Sequence, residues 1–354
     1  MHRKIRVALI GAGSIFNAHA RALLKASDRC EVVAVVKQHP DNAREVRELL
    51  GDVRVEQDYR QVLHEVDAVI ILLPHDLHLQ ATLDAARAGK HVLVEKVMAR
   101  NVYECDRMLE ACRNAGVTLT VCHDRRYHPG WMALKRVIDS GVLGEVYHWR
   151  LEHNQYLNLP EGHWIRSAAQ IGGGAIMSCL THQIDALRWY AGEVDQVTCM
   201  TRVIPARMEG ESIGVILARL KSGVLAQLSI NWATRMANNL WGEINHVTAQ
   251  KGEAYYLKGE VFLLLHDNPA KYADFFAGSP PASGAFGKVK QNVEWSGHEG
   301  CVEQWLRMLR NEPADLSTTG DDSRRTVEVA EAAGLANASG RVVTLPIAPR
   351  AWTQ

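Results

Sequence analysis

Apolar residues fall in short unbroken runs over the first third of the chain and in looser alternation after it. Residues 5–10 (IRVALI), 31–36 (EVVAVV), 67–74 (DAVIILLP), 91–94 (HVLV) and 117–122 (VTLTVC) are nearly continuous apolar stretches. Such runs mark strands buried on both faces. Between them, residues 15–26, about 41–50, 76–88 and 101–114 read as helices. Alternation of this kind predicts a doubly wound parallel sheet.

Beyond residue 122 the texture changes. A helix is predicted at about 130–138, stopped by Gly141. EVYHWRLEHN, QVTCMTRVIP, GVILARLKSGVLAQLSINWAT and AQKGEAYYLKGEVFLLLH then read as longer strands, with LKSGVL as a hairpin signal. They predict an α+β domain built on a largely antiparallel open sheet. Residues 266–295, which contain GSPPASGAFG, have loop composition and suit a surface excursion or lid. Helices at about 298–310 and 322–339 and a strand at RVVTLP close the chain, and no internal repeat is present. The expected division is residues 1–122 and 123–354, with the C-terminal segment able to pack back on the first domain.

Length supports that division, because 354 residues exceed one comfortable core. Lys plus Arg and Asp plus Glu balance at 40 each, so no overall field draws the chain to nucleic acid or an anionic membrane. Seven cysteines stand singly with no C-x-x-C pair, which fits a reducing compartment and excludes a zinc ribbon. No apolar run reaches the roughly 18 residues of a membrane span. The N-terminus leads directly into a strand without a cleavage pattern, so a cytoplasmic location is expected.

The first strand ends in VALIGAGSIF, where Gly11 and Gly13 open a strand–turn–helix unit. A tight glycine turn that brings backbone N–H groups and a helix N-terminus to a pyrophosphate needs this pattern. Gly11, Gly13, Ser14 and Ile15 are therefore candidate dinucleotide contacts in a Rossmann domain. Phe16 occupies the third fingerprint position, where glycine or alanine is usual, so the helix and strand are not expected to approach there in the usual way. The second strand ends at Lys37, which faces the adenosine ribose and favours a 2′-phosphate, and hence NADP over NAD, with Gln38 and His39 as supports. Pro74 ends the strand beneath the cofactor, and His78 either touches the cofactor or caps the following helix. Glu95 and Lys96 emerge at the C-terminal edge of the sheet, where such folds bind ligands.

Four ordered motifs, GAGSI, LPHDLHLQATLDAARAGKHVLVEK, RYHPGWMALKRVIDSGVLGEV and GGGAIMSCLTHQIDAL, make the chain resemble the Gfo/Idh/MocA oxidoreductases. ASGRVVTLP fits the closing strand of that family. The resemblance implies a Rossmann domain, a C-terminal domain whose open sheet faces the nicotinamide or mediates oligomers, and a homodimer or homotetramer. It implies NAD- or NADP-dependent oxidation or reduction of sugars, inositols and related polyols. Lys96 matches the lysine of the family's Glu-Lys-Pro motif, and His182 its acid/base histidine. The chain departs from the pattern at Val97 for proline, at Lys37 for an aspartate, at Ser178 for an aspartate, and at Leu180 for glycine. Val97 is expected to loosen the turn after Lys96.

Hydride transfer from an alcohol needs a base for the hydroxyl proton and donors for the oxygen. On a helix starting near Gly174, residues 178, 182, 185 and 189 share a stripe. His182 is the candidate acid/base, with Lys96 lowering its proton affinity or donating to the substrate oxygen. Asp185 orients the imidazole or holds a sugar hydroxyl, and Ser178 positions substrate without charge. Arg126, Trp164 and Arg166 are candidate substrate contacts; Cys179, Thr181, Asn231 and Trp232 are weaker ones. A zinc reading of His163, Cys179 and His182 lacks a complete ligand set, so no metal is expected. Two other functions use the same residues: nicotinamide-assisted bond cleavage without net redox change, and a non-catalytic regulator. Lys96 and His182 together argue against the regulator.

Overall fold

The computed structural model describes residues 3–204, 208–235, 242–292, 295 and 297–349. The elements begin β1 (Ile5–Ile10), α1 (Phe16–Lys25), β2 (Cys30–Val36), α2 (Arg44–Leu50), β3 (Arg54–Glu56) and β4 (Ala68–Ile71). Next come α3 (His75–Arg87), β5 (His91–Glu95), α4 (Val102–Ala115), β6 (Leu119–Cys122) and α5 (Pro129–Asp139). The middle of the chain forms β7 (Val146–Asn154), α6 (Ala168–Ile171), α7 (Thr181–Ala191), β8 (Val194–Val203), β9 (Glu211–Leu220) and β10 (Leu225–Asn231). It continues with β11 (Glu243–Ala249), β12 (Gly252–Leu257), β13 (Glu260–Leu265) and β14 (Phe286–Lys288), and closes with α8 (His298–Leu309), α9 (Gly320–Ser339) and β15 (Val343–Thr344).

The chain divides into two units. The first takes the described residues of 1–124, 296–325 and 349–354; the second takes those of 125–295 and 326–348. Among the described residues the first unit holds a six-stranded sheet in the order β3-β2-β1-β4-β5-β6. All its pairings are parallel. Its central strands are apolar throughout: Val7 to Ile10, Ala68 to Ile71 and Val92 to Val94 are fully buried. Strand order reverses between β1 and β4, the crevice position at which doubly wound sheets take ligands.

This unit is completed by chain that returns late. Helix α8 packs on α1 and β6, and its Cys301, Val302, Trp305 and Leu306 are fully buried. Thr318 then accepts from the amide of Val121 at 3.0 Å.

Among the described residues the second unit is built on a nine-stranded sheet, in the order β14-β13-β12-β11-β7-β10-β9-β8-β15. It is antiparallel apart from the β7–β10 pair, which is parallel. On β7, Trp149, Leu151 and His153 share a buried face, on which α7 packs. On the opposite face Met200, Val215, Leu217 and Leu225 are exposed. Residues 266–292, expected as loop, contain a helical turn at Pro269–Phe275 and the edge strand β14 paired with β13. Residues 293 and 294 of that segment lie outside the described residues. Among the described residues, no helix is long and apolar enough to cross a membrane.

Candidate functional site

Gly11 sits at φ +113°, and a Cβ there would stand 2.5 Å from the Leu72 carbonyl oxygen. Only glycine lets the β1 turn press against the end of β4 this closely. Gly13 differs: a Cβ added to it meets nothing within 4 Å, so its missing side chain leaves open space beside the backbone. Ser14 is exposed. Helix α1 carries no acid in its first turn and no side-chain cap, and the Phe16 and Ala18 amides donate to Gly13 O and Ile15 O at 3.1 Å, so any anion at this end meets the turn before the helix. Phe16 is 1% exposed and fills core space directly beneath this turn. Lys37 follows β2, half-buried, with its amide donating to Glu56 O at 2.9 Å. These features fit a dinucleotide pyrophosphate.

At the end of β5, Glu95 is almost fully buried and brackets two imidazoles. Its Oε1 lies 2.6 Å from His19 Nε2 and 3.3 Å from His298 Nε2, while its Oε2 accepts the Lys96 amide at 3.1 Å. Burial opposes ionisation of Glu95, but the two imidazoles outweigh it and hold the carboxyl well below its ordinary value. Glu95 is thus committed to its own unit and anchors the peptide that carries Lys96. Lys96 itself is half-buried.

One expectation is corrected at this turn, in which Val97, Met98 and Ala99 are all fully buried. His78 is no cofactor contact by its ring, because the ring is fully buried among carbonyls. Its Nε2 stands 2.8 Å from Leu73 O, and its Nδ1 3.0 Å from Val97 O. Burial lowers the proton affinity of the ring against the pull of these carbonyls. The neutral ring has one N–H and donates to one side at a time, clamping the Pro74 loop to the Lys96 turn.

In the second unit the glycines before α7 serve close packing. A Cβ on Gly174 would fall 2.4 Å from the Glu211 backbone, and one on Gly210 would fall 2.1 Å from Gly173 O. Glu211 of β9 accepts the Ile176 amide at 3.0 Å, which caps the start of the helix from a neighbouring strand. Burial raises the Glu211 carboxyl above its ordinary value.

Residues Ile176–Leu180 form a widened, π-type turn before α7. One extra residue in a turn rotates the helix on its N-terminal side by about 100° relative to the helix on its C-terminal side. The uniform stripe expected through 178, 182, 185 and 189 is therefore broken between Ser178 and His182. Ser178 is 3% exposed, its Oγ 3.8 Å from Cys179 Sγ.

His182 lies parallel to His153, with ring centroids 6.1 Å apart and planes at 10°. His153 Nδ1 is 3.4 Å from Glu243 Oε1, and Arg125 Nη2 donates to the same oxygen at 2.9 Å. A chain of titratable groups thus runs from Arg125 through Glu243 and His153 to His182. The alternation in EVYHWRLEHN put His153 on the face of Trp149 and Leu151, the signal by which it was findable.

Arg126 and Asp185, expected to touch substrate, are spent on each other. Nε donates to Oδ2 at 2.8 Å and Nη2 to Oδ1 at 2.7 Å, with side chains 4% and 2% exposed. Thr326 donates to Asp185 Oδ1 at 3.1 Å and accepts from Arg188 Nη1 at 2.8 Å. This is an interior ion pair that fixes α7. Trp164 and Arg166 share one short helical turn, both half-buried, and Arg166 Nη1 donates to Leu159 O at 3.3 Å.

Two family models match the chain. The NAD-binding Rossmann fold of the GFO_IDH_MocA oxidoreductase family matches residues 5–123, and the GFO/IDH/MocA C-terminal domain matches residues 131–254. The chain belongs to the Gfo/Idh/MocA family. Myo-inositol 2-dehydrogenase of Thermotoga maritima is 28% identical over 228 residues, covering 62% of this chain and 66% of that protein, just under two thirds of its length. The dTDP-3,4-didehydro-2,6-dideoxy-alpha-D-glucose 3-reductase of Actinomadura kijaniata is 30% identical over 239 residues, 66% of this chain and 70% of that protein. The solved WlbA dehydrogenase of Bordetella pertussis, in complex with NADH and UDP-GlcNAcA, shares the fold of this Gfo/Idh/MocA chain. It has a TM-score of 0.81 at 23% identity, over 98% of this chain and 100% of that one.

Proposed function

We propose that this protein is an NAD(P)-dependent oxidoreductase that moves a hydride between nicotinamide and a secondary alcohol or ketone of a sugar, inositol or related polyol. The observation that carries this reading is His182, set by the widened turn beside His153 and Glu243 in a chain of this family. The relatives support the substrate class. One is a dehydrogenase of myo-inositol, one a reductase of a didehydro sugar nucleotide, and the Bordetella dehydrogenase is seen with NADH and UDP-GlcNAcA.

The bound nicotinamide supplies the hydride acceptor or donor. Gly13, Ser14 and Ile15 would hold the pyrophosphate in the turn before α1, which Gly11 shapes, and Pro74 would line the same crevice. Lys37 binds the adenosine ribose and favours the 2′-phosphate of NADP. His182 takes the hydroxyl proton as the alcohol carbon loses hydride, and returns it in the reverse direction. The Lys96 ammonium donates to the same oxygen, stabilising its developing charge. Trp164, Arg166 and Ser178 orient the hydroxylated ring. The exposed apolar strip of Met200, Val215, Leu217 and Leu225 supports self-association.

Purified protein is assayed by the near-ultraviolet absorbance of reduced nicotinamide against panels of sugars, inositols and their keto forms. His182→Ala is expected to lower turnover by about 10²–10⁴-fold with cofactor affinity unchanged; equal loss of both sinks the assigned role. Lys37→Asp shifts preference from NADP to NAD, and an unmoved preference removes the 2′-phosphate argument.

A further inference from the structure

Four side chains that the oxidoreductase reading leaves without a shared role converge in the first unit. His19 comes from α1, Glu95 from the end of β5, Cys122 from the end of β6, and His298 from the start of α8. One ligand atom from each lies within 4.8 Å of the other three. His19 and Cys122 are fully buried, and Glu95 is 8% exposed. The two imidazoles meet edge to face, with centroids 5.0 Å apart.

The donor set decides the chemistry. Two neutral imidazoles, one thiolate and one carboxylate are borderline-soft ligands of the kind that hold Zn²⁺ in a tetrahedron. Their summed charge of a thiolate and a carboxylate neutralises a divalent ion, which answers the cost of burying a cation. Glu95 already carries an outer contact of the kind that steadies a metal ligand. Glu95 Oε2 accepts the Lys96 amide at 3.1 Å, leaving Oε1 to face the cluster. His298 Nδ1 lies 3.8 Å from Asp124 Oδ2, beyond hydrogen-bond distance.

We propose that His19, Glu95, Cys122 and His298 form a binding site for a divalent ion of the zinc class. Tetrahedral zinc with N, O and S donors places its ligand atoms roughly 3.3–3.6 Å apart. The 2.6 Å His19–Glu95 contact must therefore open, and the longest separations must close, by about 1 Å each. Side-chain rotation on four separate elements supplies such movements. The proton between His19 Nε2 and Glu95 Oε1 moves to Nδ1 of the same ring, and the Cys122 thiol gives its proton to solvent. Four protein ligands leave no open position, so the ion acts as a staple. It ties the ends of β5 and β6 to α1 and α8, one residue before Lys96.

Metal-stripped full-length protein is titrated with Co²⁺ and, separately, with Zn²⁺. The site predicts one Co²⁺ per chain, with visible bands of tetrahedral cobalt and a near-ultraviolet thiolate-to-cobalt band. Zinc is expected to displace the cobalt and to raise the melting temperature. Cys122→Ser removes the near-ultraviolet band and His298→Gln weakens binding at least tenfold, whereas Cys199→Ser, at a buried thiol of the second unit, leaves both unchanged. Folded wild-type protein that binds neither ion overturns the proposal. So does a thiolate band that survives in Cys122→Ser.

Discussion

Replacing Arg126 by methionine tests whether the buried pair holds the structure or the substrate. The substitution keeps most of the apolar stem and removes the guanidinium that makes two hydrogen bonds to Asp185, a residue only 1% exposed. Thr326 would still donate to the carboxylate. Breaking one side of a buried ion pair costs about 3–5 kcal/mol, because the remaining charge is left without compensation. For a unit of this size that corresponds to a fall of about 6–20 °C in melting temperature. Tryptophan fluorescence during urea or thermal unfolding reads it, since Trp131, Trp149 and Trp232 are fully buried in the same unit. Adding Asp185→Leu should restore much of the loss, and the double-mutant cycle should give a coupling of about 2 kcal/mol or more. The reasoning fails if Arg126→Met melts with the wild type while the KM for the sugar rises tenfold. That result would make Arg126 a substrate contact after all.

Gly13→Ala should leave stability unchanged or raise it by up to about 1 kcal/mol, yet weaken nicotinamide binding at least tenfold; equal affinity by fluorescence titration would show that the open space is not the cofactor's. His153→Asn should lower kcat about tenfold with little change in KM and displace the pH limb of kcat that reports His182. A displaced melting curve with an unmoved pH limb would reduce His153 to a packing residue. Glu211→Gln should stabilise the protein at neutral pH, because burial raises the folded carboxyl above its unfolded value and its ionisation on folding is unfavourable. The native carboxyl's contribution is fully present below the unfolded value and is lost as pH rises through the folded one, so the advantage of glutamine should vanish in acid. An advantage that persists there, measured by urea denaturation, contradicts this origin.

Much of the architecture was legible because it is written in local periodicity. The apolar runs at 5–10 and 91–94 and the glycines of GAG place the parallel sheet and its turn with little help from distant residues. What escaped depends on partners remote in sequence. Arg126 and Asp185 each look like polar residues in a cleft until the fold brings them together across 59 positions. Glu95 looks like a ligand-facing acid until His19 and His298 close on it. The widened turn at Ile176–Leu180 is invisible to a 3.6-residue period, since one inserted residue leaves no mark on composition and only changes the phase. Phe16 shows the converse. A fingerprint departure that predicted a disturbed approach is absorbed as ordinary core.

The late return of α8 makes the first unit a clasp that the chain fastens late. A ribosome that has finished β6 must make about half the chain again before Trp305 and Leu306 reach α1 and β6. Until then an apolar face of the nucleotide-binding sheet stands uncovered, open to chaperones or to other unfinished chains. A protein ended at residue 124 would keep that face bare for good. Joining residues 297–325 directly behind it would supply the cover in cis, and turn a discontinuous unit into a continuous one.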